Sequence, residues 1–405
     1  MEYISEHGKN QLDKIPLDTS IPRTERFKND PYRANTYIIH TKEPINAETP
    51  TKLLIDYRYT PDKLFYNRNH SPILDLKEDN YFVEFSGELK QTGKISLEDL
   101  KKMKKRTVEA MMMCTGNRRS EFAEKYKKAA GLSWKGGSVG NGVWGGVSLR
   151  DVMEKYFQPT DKAYHVEFIG GGQQDSADKY ETSIPLEKAY DYDVILCYEI
   201  NGQPLSRDRG FPLRVIVPGY TGARMVKWLS QINFRVNESQ SSHHQFDYKL
   251  FLPTMELSKV TKADWLKAET IKEVNINSYI CNVTEGDVIQ TPFIVKGYAY
   301  CSGNKIWRID FSIDGGKTWT QATILKNPLH TDKQTKYYGW TLWEYKLEEV
   351  KSNQNMQLCV RAFDTVLNTQ PLEIENIWNF RGFMNNSVHR VNVTASSKSL
   401  NNTKF

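Results

Sequence analysis

One stretch of the chain concentrates reactive chemistry. In MMMCTGNRRSEF, residues 111–122, Cys114 stands between an apolar run and a glycine followed by two arginines, Arg118 and Arg119. Guanidinium groups beside a thiol favour the thiolate. A thiolate can attack carbon, enter a disulfide or bind a soft metal. A plain buried cysteine is the structural alternative. No Cys or His adjoins Cys114 to complete a metal cage, so a metal there would draw most of its coordination from a cofactor.

A second segment, PLSRDRGFPLRVIVPGYTGARMVKWL, carries Arg207, Arg209, Arg214, Arg224 and Lys227 around Gly210, Gly219 and Gly222. Guanidinium forks and backbone N–H groups in such loops can clamp a phosphorylated ligand. The alternative is a basic surface hairpin, which the apolar density between the charges argues against.

These residues need elements to position them. LEDLKKMKKRTVEAMMM places Leu97, Leu100, Met103 and Val108 at helical spacing, with Ser96 as N-cap and Asp99 three residues on. EFAEKYKKAAG reads as a second helix ended by Gly131, and VSLRDVMEKYF as a third. YFVEFSG and AYHVEFIG read as strands, giving an α+β domain from about Thr41 to Leu252. From Ser278 on, short β-branched and aromatic runs recur. They are PFIVKGYAY, IWRIDFSID, KTWTQATIL, TLWEYKL, MQLCVRAFD and VHRVNV. Asp-Gly in IDGGKTW signals a hairpin, and the spacing argues for an immunoglobulin-like β-sandwich without the antibody cysteines.

Composition narrows the class. The 405 residues, 39% hydrophobic and 26% charged, suffice for two cored domains. A net charge of +6 is modest, and KKMKKR at Lys101–Arg106 reads as a solvated helix face, so no nucleic-acid partner is expected. Five scattered cysteines without a CxxC pair predict neither a disulfide framework nor a structural zinc. No apolar run spans a bilayer and the N-terminus lacks a signal-peptide core, so the expectation is an intracellular soluble protein without membrane insertion. Cytosol, mitochondrial intermembrane space and peroxisome all stay open.

The two reactive segments also carry a family resemblance. CTGNRRSE resembles the CAGNRRSE signature of sulfite oxidases and eukaryotic nitrate reductases, and Arg-Asp-x-Gly-Phe-Pro-x-Arg resembles their second signature. KEPINAETP, LFYNRNHSP, VWGGVSLRDVM, DGGKTW, RAFDTVLNTQP and IWNFRGFMNNSVHRV are similar to further family motifs in the same order, from about Lys42 to Val393. The polar, proline-punctuated residues 1–40 read as an extended arm, and the resemblance implies a molybdopterin-binding catalytic domain over 41–255. An immunoglobulin-like dimerisation domain over 256–395 and a disordered tail over 396–405 would follow.

By resemblance, Cys114 binds molybdenum beside one pterin. The pterin and its phosphate are held by Arg68, Asn69, His70, Arg214, Met225, Val226 and Lys227. The substrate pocket is built from Arg68, Arg119, Trp134, Tyr198 and Arg381. Taken alone, His70 would be a structural histidine, and Trp134 and Tyr198 core aromatics. The implied reaction is oxygen-atom transfer from the molybdenum cofactor to sulfite, giving sulfate. Electrons pass to an external acceptor, dioxygen or a separate carrier, because no haem-domain segment is expected in this chain. A homodimer is implied. Nitrate reductase chemistry on the same scaffold is the first alternative, and a cofactor-free scaffold the second. Arg381 stands where nitrate reductases usually have methionine, which favours sulfite.

Two positions depart from the family pattern. Arg209 replaces a usual histidine among the cofactor-binding residues, and Gly171, Gly172, Gln173 and Gln174 replace a stretch that usually carries a pterin-side aspartate.

Overall fold

A computed structural model describes residues 11–171, 179–331, 334–351 and 353–396. Gly172, Gln173, Gln174 and the tail from 397 on lie outside the described residues. Ser396, expected in the tail, instead ends the strand His389–Ser396, which pairs with Asn355–Asp364 and Val288–Gln290.

Two five-stranded sheets build the catalytic half. In the first, the order is Glu181–Pro185, His165–Gly170, Leu229–Arg235, Phe82–Gly87 and Gly93–Ser96. The pair Leu229–Arg235 and Phe82–Gly87 runs parallel, and its other neighbours run antiparallel. The second joins Gln203–Pro204, Ile195–Ile200, Val139–Ser148 and Lys105–Met113, with Arg214–Ile216 also paired to Ile195–Ile200. Their apolar faces meet in one core that includes Phe85, Val147, Leu196, Val215 and Ile232.

The expected long helix before Cys114 is corrected. Helix Leu97–Lys102 forms, and Ser96 caps it by accepting the Asp99 N–H at 3.0 Å. It then stops, and Lys105–Met113 is a nine-residue strand paired throughout with Val139–Ser148. Leu97 and Leu100 belong to the short helix, whereas Val108, Ala110 and Met112 fill the core from alternate positions of the strand. Lys101 and Lys102 close the helix, and the charged segment to Arg106 carries the chain from one period to the other.

The helix after Cys114 is also shorter than expected, Ser120–Lys125, with Tyr126 as its C-cap rather than Gly131. The third runs Leu149–Lys155. The glycine-rich stretch before it is strand, entirely buried, not a phosphate loop.

The C-terminal half is a two-sheet β-sandwich. One sheet orders Asn277–Ile280, Phe293–Tyr300, Thr341–Leu347 and Thr323–Ile324; the other runs Val288–Gln290, His389–Ser396, Asn355–Asp364, Ile306–Ser312 and Thr320–Gln321. Val295, Ile309, Trp343, Leu358 and Val360 form the core between them. In the Asp-Gly hairpin, Asp314 accepts from the N–H groups of Lys317 and Thr318. A third core joins the halves: Met111 and Met113 pack with Tyr298, Tyr300 and Trp340. No helix among the described residues is long and apolar enough to cross a membrane.

Candidate active site

The strand Lys105–Met113 delivers Cys114 to the edge of a deep cavity. The Cys114 N–H donates to Ser138 O at 2.9 Å, and its carbonyl accepts the Asn117 N–H at 2.8 Å, so the cysteine sits in a fixed turn. The two arginines that follow diverge. Arg118, in the left-handed region at φ 65°, forks onto Glu121 at 2.7 and 2.8 Å and reaches Asn277 Oδ1 at 2.6 Å. It is a structural tie between the halves. Arg119 instead lies, with Arg68, close enough to Cys114 for its charge to act on the thiol. Burial pushes the Cys114 thiol up, and these two guanidiniums oppose the shift. The sequence expectation that both following arginines favour a thiolate is thus corrected: only Arg119 does so, with Arg68, and in the protein alone burial outweighs them.

Arg119 shows why two glycines stand where they do. A Cβ on Gly131, at φ +116°, would lie 2.7 Å from Arg119 Nη1, and one on Gly382, at φ +59°, 2.5 Å from Arg119 Cγ. The side chain is threaded between them and donates to Leu132 O at 2.8 Å and Arg381 O at 2.9 Å. Burial, then Arg381 and Arg68, lower its pKa to about 10, against the Cys114 contribution.

The cavity wall gathers Arg68, Asn69, His70, Arg209, Arg214, Met225, Val226 and Lys227 with Cys114. The Asn69 side chain donates to Ile45 O at 2.9 Å and accepts from Lys227 Nζ. Arg214 spans from Arg209 O at 2.9 Å to Met225 O at 2.7 Å. Burial and the Arg209 charge hold Lys227 well below the ordinary lysine range. Arg209, at the departing position, donates to Tyr66 O at 2.7 Å and to Asn67 Oδ1, and pairs with Asp62 at 3.2 Å. It braces the loop that carries Arg68. Gly171 also lines the cavity.

Of the expected substrate residues, Arg68 lines the cavity; Arg119 is off the lining but, like Arg68, acts on Cys114 by its charge, and Arg381, also off the lining, lies beside Arg119. Arg381 is ion-paired with Asp247. Trp134 is 1% exposed, packs edge-on against His40 at 4.6 Å, and lies in the core rather than on the cavity lining. Tyr198 is off the cavity: its ring faces Lys101 Nζ at 5.6 Å. Three residues not singled out from sequence line the cavity instead: Tyr180, His243 and Tyr248. Tyr180 stacks on His70 at 5.5 Å and lies 5.0 Å from the His243 ring, and its hydroxyl donates to Ala223 O at 2.9 Å. Tyr248 Oη lies 3.4 Å from His70 Nε2. The signal available was position: Tyr180 opens the strand whose neighbour His165–Gly170 runs into the cavity edge.

Among the described residues, four buried polar atoms on the cavity lining have no hydrogen-bond partner: Thr115 Oγ1, Arg214 Nε, Trp228 Nε1 and Arg209 Nε, the last only ion-paired with Asp62. Leaving each orphaned costs about 1–3 kcal/mol, so the lining suits a polar, anionic group rich in acceptors. Among the described residues, no three His, Cys, Asp or Glu are grouped to hold a metal. A metal at Cys114 therefore needs ligands from a bound organic group. A phosphorylated pterin dithiolene meets both demands.

Fold and lining define a molybdopterin-binding oxidoreductase. Residues 70–243 match the oxidoreductase molybdopterin binding domain, and residues 268–396 the Mo-co oxidoreductase dimerisation domain. The chain is 35% identical to sulfite oxidase of Arabidopsis thaliana, over 90% of this chain and 95% of that protein. It is 39% identical to mitochondrial sulfite oxidase of Drosophila melanogaster, over 87% of this chain and 62% of that one. It is 35% identical to the NADH nitrate reductase of Petunia hybrida, over 96% of this chain but 45% of the relative. The crystal structure of sulfane dehydrogenase SoxCD from Paracoccus pantotrophus shares the fold, with TM-score 0.72 at 21% identity, covering 96% of this chain and 89% of that one. The chain belongs to the sulfite oxidase family, and its cofactor is molybdenum with molybdopterin.

Proposed function

We propose that the protein oxidises sulfite to sulfate and passes the two electrons to an external acceptor, dioxygen or a separate carrier. The observation that carries this reading is the pair of guanidiniums whose charges act on Cys114, Arg68 on the cavity wall and Arg119 behind it, with Arg381 beside Arg119. When bound, the molybdenum–pterin group supplies two-electron redox chemistry and oxygen-atom transfer. Cys114 would hold the metal. Arg214 and Lys227 would hold the pterin and its phosphate, with Asn69, His70, Met225 and Val226 shaping the wall.

Three guanidiniums suit a compact anion that carries close to two negative charges, through charge-assisted hydrogen bonds. Tyr180 takes the pocket place that sequence gave Tyr198: burial and Tyr248 hold its phenol neutral, and its hydroxyl would serve a bound oxyanion by turning away from Ala223 O. Trp134 acts from behind, by packing. The molybdopterin unit spans 41–255 and the sandwich 256–395 in this reading, the latter pairing two chains.

The similarity to a nitrate reductase keeps nitrate reduction as the rival. Steady-state kinetics decide between them. Sulfite should be oxidised with ferricyanide, cytochrome c or dioxygen as acceptor. Faster nitrate reduction than sulfite oxidation would reject the proposal.

A further inference from the structure

The wall of the cofactor cavity includes an aspartate. Asp208 lines it beside Arg209 and Lys227, and Lys227 Nζ lies 3.3 Å from the Asp208 carbonyl oxygen. A carboxylate beside a phosphate site repels what the site must hold. It is answered from outside the catalytic domain. Arg33, on the arm that precedes that domain, forks onto Asp208, Nε to Oδ2 at 3.0 Å and Nη2 to Oδ1 at 2.7 Å. Both side chains are 12% exposed.

The arm is stitched down on both sides of this pair. Asp30 Oδ1 accepts the Ile73 N–H at 2.9 Å. Arg207, next to Asp208, donates to Asn29 O at 2.9 Å and to Ile73 O and Leu74 O, each at 3.1 Å. Leu74 and Asp208 are cavity wall. Residues 29–33 thus hold two wall loops together.

We propose that the arm is a cofactor-retaining strap and that Arg33 is its positioning residue, neutralising Asp208 so that an anionic group can rest on Lys227. This rests on the reading above that Lys227 marks the phosphate end. The chemistry follows from burial: remove Arg33, and Asp208 becomes a nearly buried, unpaired carboxylate beside the phosphate site. Neutralise Asp208 as well, and the need for Arg33 disappears. A strap that acted only as a mechanical staple would not be rescued in that way.

The test uses the full-length holoenzyme. Wild type, Arg33→Gln, Asp208→Asn and the double variant are incubated and desalted over time. Retained pterin is read by fluorescence after oxidation, molybdenum by elemental analysis, and fold by far-UV circular dichroism. Arg33→Gln is expected to lose cofactor at least about tenfold faster, with Asp208→Asn and the double variant close to wild type. Loss from Arg33→Gln at the wild-type rate overturns the proposal, and so does a double variant that loses cofactor as fast as Arg33→Gln. If Arg33→Gln does not fold, Arg33→Lys keeps the charge and gives up the fork. It should then retain cofactor nearly as wild type, and rapid loss overturns the proposal. Lys227→Gln separates the two ideas: unchanged retention in that variant rejects the phosphate assignment itself, whatever Arg33 does.

Discussion

Arg381 and Asp247 are joined through Nη2 and Oδ1, so the guanidinium that the proposed function assigns to substrate already faces a carboxylate. A substrate anion must compete with Asp247 for it. Arg381→Met should lower sulfite kcat/KM about ten- to over a hundredfold, the loss of a charge-assisted bond of about 1.5–3 kcal/mol. Asp247→Asn should act in the opposite sense on KM. Steady-state kinetics of both variants check this, and unchanged sulfite kinetics in Arg381→Met would refute the pocket.

Cys114→Ser should fold and keep most of its pterin, because the other wall contacts survive, yet lose turnover. Circular dichroism, pterin fluorescence and sulfite assays together test this. Activity above a few per cent of wild type would be decisive against metal ligation by Cys114.

The two tyrosines should separate cleanly. Tyr180→Phe removes a hydroxyl from the cavity and should lower kcat/KM about tenfold or more. Tyr198→Phe changes a ring that faces Lys101 and should leave kinetics within about twofold. Equal effects would return the role to Tyr198.

A buried network sets the acid limit of stability. His244, 1% exposed, accepts at Nδ1 from Arg224 at 2.9 Å and donates through Nε2 to Glu238 at 3.1 Å. Burial lowers its pKa from 6.5 to about 4. Glu238 accepts from His244, Lys249, Gln245 and Thr270, and these partners hold it well below the ordinary carboxylate range. In both cases the unfolded chain binds protons first, so stability is complete above the unfolded pKa and falls with pH. The histidine contribution is lost between about pH 6.5 and about 4, roughly 3 kcal/mol at most. The glutamate contribution is lost below about pH 4.5. Urea melts across this range should show the decline, and His244→Gln should flatten its upper part. An unaltered slope in that variant would remove His244 from the account.

Much of this was legible in sequence, for different reasons in different places. The sandwich strands announced themselves through β-branched alternation and the Asp-Gly turn, since each signal is local. Lys105–Met113 did not, because Leu97, Leu100, Met103 and Val108 match a helical period across what is a helix and a strand. Adjacent Arg118 and Arg119 looked alike; only the contacts of Glu121 and Asn277 distinguish tie from site. Tyr180 precedes the edge strand of one sheet while Tyr198 lies within the other, and no periodicity tells which of them borders the cavity.

Arg119 donates to the backbone of Arg381, 262 residues away along the chain. As proposed, the substrate site draws on both halves of the chain, and neither half is then a portable catalytic module. Exchanging the C-terminal sandwich between relatives by recombination would transplant part of the substrate specificity along with the oligomerisation surface. The two segments are bound to diverge as one inherited unit.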